Sequence, residues 1–163
     1  MKYGIFTKPI HVEKIVNFLN QYTKVNYIIS SDKDEITAYN YDFGVSYCWP
    51  FKIDESELKK RIWYNYHPGL LPKYHGMQSY ADAIQDEVEK YGVTLHRMTE
   101  EVDNGPILCI RKFNLHTLPV HTNELGCITH YYLFQLFKET IETLKFMPVD
   151  SEDFDKRCAA RKF

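Results

Sequence analysis

The sequence predicts an α/β protein of Rossmann-like type, a mostly parallel sheet flanked by helices. Three observations predict it. A short apolar run, a helical-period segment and a second apolar run open the chain, which is the pattern of a βαβ unit. Further apolar runs recur through the middle, broken by Pro, Gly and acidic turn residues. A long segment of mixed three and four spacing then follows near the end. The 163 residues fit one domain with a core of its own. Its expected extent is 1–146, with 147–163 as a polar tail.

Lys2-Tyr3-Gly4-Ile5-Phe6 reads as the first buried strand. His11 to Tyr22 carries Ile15, Val16, Phe18, Leu19 and Tyr22 at helical spacing, so a helix packed on the sheet is expected. Val25 to Ser30 supplies a second, parallel strand. Asp32 to Asp42 is polar and reads either as a loop or as a remnant helix. Phe43 to Cys48 is the third strand, leading into the aromatic loop Trp49-Pro50-Phe51. Asp54 to Lys60 reads as a short helix, with acids in its first turn and bases in its last, as the helix dipole favours.

Ile62-Trp63-Tyr64 is the fourth apolar run, and Asn65-Tyr66-His67-Pro68-Gly69-Leu70-Leu71-Pro72 follows it. The prolines and glycine end regular structure, placing Asn65 and His67 at a strand end where open α/β sheets bind ligands. Two residues apart on a strand, both side chains reach one group from the same side. Met77 to Glu89 reads as a helix and Gly92 to Met98 as a strand. Asp103 then begins a turn before another strand, from Ile107 toward Phe113. Thr122 is the expected N-cap of a helix running to Leu144.

NYHPGLLPKYHG at Asn65 to Gly76 and GVTLHRMTEEVDNGPIL at Gly92 to Leu108 together resemble the folate-dependent formyltransferase family. That family includes glycinamide ribonucleotide formyltransferase, methionyl-tRNA formyltransferase and the nucleotide-sugar N-formyltransferases. The resemblance implies a shortened formyltransferase domain, because family members spend more residues between the second and third strands. It implies Asn65, His67 and Asp103 as the catalytic residues, the Asn and Asp 38 residues apart. It also implies 10-formyltetrahydrofolate as co-substrate, with Trp49, Pro50 and Phe51 on the loop that wraps the pterin. Trp49 and Phe51 can equally be core or partner-contact side chains.

Acceptor contacts are expected from Lys8, Lys73, Tyr74, Gln78 and Tyr80, each with a surface or core role as its alternative. The turn Phe6 to Ile10 lacks the glycines that hold phosphate in the glycinamide ribonucleotide enzymes. The chain also leaves no length for the C-terminal domain of the tRNA and many sugar enzymes. That counts most against transfer RNA, and an amino-sugar nucleotide stands slightly ahead of glycinamide ribonucleotide as the leading acceptor. The alternatives are glycinamide ribonucleotide, hydrolysis of formyltetrahydrofolate, and an inactive folate-binding protein.

The chemistry suits these residue types. Attack of an amine on a formyl carbon puts negative charge on the formyl oxygen, and donors must already face it. Asn65 and a protonated His67 would supply them, and Asp103 would favour the imidazolium and orient the groups. The net charge of -2 and pI of 6.4 provide no basic field for nucleic acid. The basic run Lys156-Arg157 with Arg161-Lys162 reads as a solvated end. Cys48, Cys109, Cys127 and Cys158 have no pairing or metal-ligand spacing, so reduced thiols, no metal and a cytoplasmic location are expected. No apolar run approaches the roughly 20 residues of a membrane span. A sheet edge left by the shortening would allow a homo-oligomer.

Overall fold

In the computed structural model, which describes residues 1–117, 119 and 121–147, the N-terminal βαβ unit forms as its periodicity predicts. Strand β1 (Lys2–Thr7), helix α1 (Pro9–Tyr22) and strand β2 (Asn26–Ser30) make it, with β1 and β2 parallel. Strand β3 (Phe43–Tyr47), helix α2 (Glu55–Lys60) and strand β4 (Trp63–His67) follow. Helix α3 (Ser79–Gln85), strands β5 (Lys90–Arg97) and β6 (Ile107–Asn114), and helix α4 (Thr122–Thr140) complete the order. The six strands run β2-β1-β3-β4-β5-β6. The first four are mutually parallel, and β5 and β6 add antiparallel. The strand order reverses at β1, so a crevice opens beyond the carboxyl ends of β1 and β3.

Several boundaries differ from the sequence reading. Helix α3 stops at Gln85, because Glu87 takes a left-handed conformation (φ 50) that no helix continues. Helix α4 is capped by His121 rather than Thr122, with the Glu124 carboxylate accepting from the His121 N–H at 3.3 Å. That helix ends at Thr140, and Leu144 falls in a separate 3-10 turn, Leu144–Phe146. The polar stretch after β2 holds one 3-10 turn, Lys33–Glu35, started by the Asp32 carboxylate accepting from the Asp34 N–H. Tail residues 148–163, with Cys158 and the Lys156, Arg157, Arg161 and Lys162 run, lie outside the described residues.

Side chains alternate across a strand, and the two faces of this sheet carry different chemistry. Tyr3, Ile5, Val45, Tyr47, Tyr64, Tyr66, Val93 and Leu95 point to one face, into a core shared with Ile15 and Leu19 of α1 and Leu133 and Phe137 of α4. Phe137 is fully buried against the rings of Tyr47 and Tyr66. Phe6 and Trp63 point to the other face, in a smaller cluster with Ile36, Tyr41 and Ile53 against which Leu58 of the short helix α2 packs. That cover lies directly on the backbone. A Cβ at Gly4 would sit 2.6 Å from the Tyr41 ring, and one at Gly44 only 2.1 Å from the Trp63 ring. Beyond Trp63 this second face turns polar.

Candidate active site

The polar part of the second face is a row across three strands. Register pairs Ser46 with Asn65 and Asn65 with His96, while His67 lies opposite Thr94. The Ser46 hydroxyl donates to Asn65 Oδ1 at 2.8 Å. On the other side of the same amide, Nδ2 lies 3.1 Å from His96 Nε2 and 3.2 Å from Asp103 Oδ1. His96 Nδ1 lies 3.0 Å from the Arg97 carbonyl, an acceptor only. That ring therefore donates through Nδ1 and accepts the Asn65 N–H at Nε2. Both hydrogens of the Asn65 amide are engaged.

Asp103 reaches this row from the turn between β5 and β6, in a left-handed conformation (φ 56) that Asp tolerates better than most residues. Its Oδ2 accepts the Gly76 N–H at 2.8 Å and lies 3.4 Å from His67 Nδ1. His67 Nε2 lies 2.8 Å from the Tyr74 carbonyl. Gly69 makes this contact possible, since a Cβ there would be 2.4 Å from that carbonyl and 2.5 Å from His67 Nε2. Thr94 holds the loop from below. Its hydroxyl donates to the Gly69 carbonyl at 2.7 Å and accepts from the Leu71 N–H at 3.1 Å.

Burial is the largest influence on Asp103 and would raise its carboxyl. The neighbouring His96 ring, its Nε2 3.5 Å from Oδ1, the charge of His67 and the Gly76 N–H outweigh it and hold the group at about 2. His67 ends on the other side of the expectation. Burial pushes its imidazole below the ordinary value, and the opposing pull of Asp103 and the Tyr74 carbonyl does not restore it. The free site thus favours a charged carboxylate beside a neutral imidazole, rather than the imidazolium expected from Asp103 alone.

These groups open into a cleft of about 410 Å³, a size that suits a small molecule. Asn65, His67 and Asp103, predicted from two separate motifs, all line it. Trp49, Pro50 and Phe51 line it too, as do Lys8 and Tyr80. The Trp49 and Phe51 rings meet edge-on at 5.0 Å, with Phe51 half exposed and the buried Trp49 Nε1 lacking a partner. Buried Tyr80 Oη also lacks one.

Three expected acceptor contacts fall elsewhere. Lys73 pairs with Asp86 at 2.7 Å and is not in the cleft wall. The Tyr74 ring is buried against Tyr91, its hydroxyl donates to Asp86, and only its carbonyl serves the site. Gln78 is exposed outside the wall. Sequence reasoning missed His96 and Ser46. The available signal was period two, since Thr94 and His96 are the polar alternates of Val93 and Leu95.

Fold and cluster together define a Rossmann-like protein with a polar, ligand-sized cleft at its strand ends. Residues 56–124 match the family model for formyl transferase. The resemblance carried by the two motifs is thereby shown over the segment that holds them. Methionyl-tRNA formyltransferase of Thermotoga neapolitana is 38% identical over 93 residues, 57% of this chain and 26% of that protein. The chain spans about a quarter of the length of the first curated relatives it matches.

Among solved structures, phosphoribosylglycinamide formyltransferase of Campylobacter jejuni superposes with a TM-score of 0.69 at 18% identity. It covers 88% of this chain and 97% of that one. An N-formyltransferase of Helicobacter canadensis, solved with folinic acid and dTDP-3-aminofucose, gives 0.68 at 21% identity, covering 87% and 63%. At these identities the likeness establishes a shared fold.

Proposed function

We propose that this protein transfers a formyl group from 10-formyltetrahydrofolate to a primary amine of a small molecule, with an amino-sugar nucleotide as the leading acceptor. The observation that carries the reading is the convergence of Asn65, His67 and Asp103, from two separate motifs and with Asn65 and Asp103 38 residues apart, on one cluster in a cleft wall. The cleft suits the co-substrate. Phe51 presents an apolar face, and Trp49 Nε1 is a donor without a partner. The co-substrate would supply the formyl carbon.

The chain's own residues divide the remaining work. Asn65 Nδ2 is the donor for the oxygen that gains charge, held in orientation by Ser46 from behind. His67, shifted toward its neutral form and with Nε2 committed to the Tyr74 carbonyl, can take at Nδ1 the proton an attacking ammonium must lose and return it to the folate nitrogen as its bond to the formyl carbon breaks. Asp103 steadies the resulting imidazolium across 3.4 Å. Lys8 and Tyr80 face the cleft as acceptor contacts.

The sugar reading draws on the Helicobacter canadensis enzyme and its bound amino-sugar nucleotide. A glycinamide ribonucleotide acceptor is the second reading, favoured by the near-complete overlap with the Campylobacter jejuni chain. A spectrophotometric turnover assay with amino-sugar nucleotides, glycinamide ribonucleotide and no acceptor separates them. Acceptor-dependent folate release that disappears in Asp103→Asn supports transfer and names the acceptor. Release without amine identifies a hydrolase, and folate binding without turnover overturns the enzymatic reading.

A further inference from the structure

Three side chains far apart in sequence meet where the strand order reverses. His11 lies in the first turn of α1, Cys48 immediately after β3, and His130 within α4. One ligand atom from each falls within 4.8 Å of the other two. Cys48 Sγ is 3.9 Å from His130 Nε2, and the two imidazoles meet edge-on with centroids 5.1 Å apart. We propose that His11, Cys48 and His130 form a zinc site whose fourth coordination position opens into the cleft.

Two further observations point the same way. His11 Nε2 is buried with no hydrogen-bond partner, an unfavourable state that a metal bond relieves. Cys48 sits in the left-handed region (φ 51), although it is neither glycine nor a turn-forming Asn. Such a conformation persists where the surroundings impose it, and it clusters at functional positions. Here it accompanies a thiol 3.9 Å from an imidazole.

The donor set is that of a three-ligand zinc site, two imidazoles and one thiolate. Zinc bonds of about 2.0–2.3 Å place neighbouring donors roughly 3.5 Å apart. The widest pair therefore closes by up to about 1.3 Å on binding, from 4.8 Å, within the reach of side-chain rotation. Binding exchanges the Cys48 thiol proton, released to solvent, for a sulfur–zinc bond. The thiolate cancels one of the two metal charges. Lys8 and Lys14, both within electrostatic range of Cys48, oppose the charge that remains and favour an anionic fourth ligand such as hydroxide. Cys48, His130 and Lys8 all line the cleft, so that ligand would face a bound small molecule. Spacings of 37 and 82 residues match no local metal motif, which is why the sequence leads to an expectation of no metal.

The full chain, stripped with chelator and titrated with cobalt(II), tests the site without any reference to formyl transfer. One equivalent should bind with a thiolate-to-cobalt charge-transfer band and the ligand-field bands of a tetrahedral ion. Zinc should displace it. Cys48→Ser should abolish the charge-transfer band, and Cys127→Ser, at an exposed cysteine, should keep it. His130→Ala should weaken binding by more than the about 10- to 100-fold that outer-sphere changes cost. Absence of the band in the wild-type chain overturns the proposal, whatever the variants do. So does a band that survives in a Cys48→Ser protein with native circular dichroism.

Discussion

The two faces of the sheet solve the same burial problem in opposite ways. On one, α1 and α4 bring continuous apolar surface to the alternate residues of five strands, and tyrosine rings pack on Phe137. On the other, a few aromatic rings lie flat on backbone cleared by Gly4 and Gly44, and the rest of the face carries Ser46, Asn65, His67, Thr94 and His96. The first arrangement spends its area on stability. On the second, Ser46, Asn65, His67 and His96 are aimed from rigid backbone into a cleft, while Thr94 is buried beneath the loop it holds. A thin cover is what makes a sheet face available for chemistry.

Variants can break that contrast. Phe137→Ala, on the helix-covered face, should lose about 3–5 kcal/mol in denaturant unfolding. If its folded fraction also lost turnover by a hundredfold, the division of labour would be wrong. Asn65→Ala should do the reverse, losing roughly a hundredfold or more in turnover with an unfolding midpoint near that of the parent. Retained turnover would remove Asn65 from the proposed mechanism.

Acid should act through the polar face. Asp103, held at about 2 in the fold against an ordinary 3.8, stabilises the protein fully above that ordinary value. The contribution of about 2 kcal/mol is lost as pH falls toward 2. His67 adds an earlier loss, because its folded value lies below that of the unfolded chain, so unfolding takes up a proton once pH drops below about 6.5. Acid titrations of Asp103→Asn should lack the lower of these steps. Gly44→Ala should cost about 1–3 kcal/mol by pushing the Trp63 plate off the backbone, read as a lowered thermal midpoint. The smallest effect is expected for Ser46→Ala, which removes one of the three contacts that hold the Asn65 amide and should lower turnover by up to about tenfold.

How much of this was legible in the chain depends on whether the signal was local. β1, α1, β2 and β4 announce themselves through apolar period and through the Pro68–Gly69 stop, and Asn65, His67 and Asp103 through two contiguous motifs. The end of α3 was not legible, because it rests on one left-handed residue, Glu87. Trp63 read as part of an ordinary apolar run, and Tyr41 lay within a polar stretch. Their role as a cover depends on where Gly4 and Gly44 fall in register, which only the assembled sheet displays. His96 carries a period-two signal but no motif. Tyr74 shows the converse, since its side chain was the expectation and its carbonyl is the functional atom. No helix among the described residues is long and apolar enough to cross a membrane.

The engaged amide of Asn65 gives the site a threshold. Its two hydrogens already belong to a carboxylate and an imidazole, so an incoming oxygen must displace one of these acceptors to claim a hydrogen. A neutral formyl oxygen is the weaker competitor in that exchange, and an oxygen carrying negative charge the stronger. On the proposed reaction, the amide would withhold itself from the resting substrate and commit only as charge develops, so that its binding energy lowers the barrier instead of deepening the ground state.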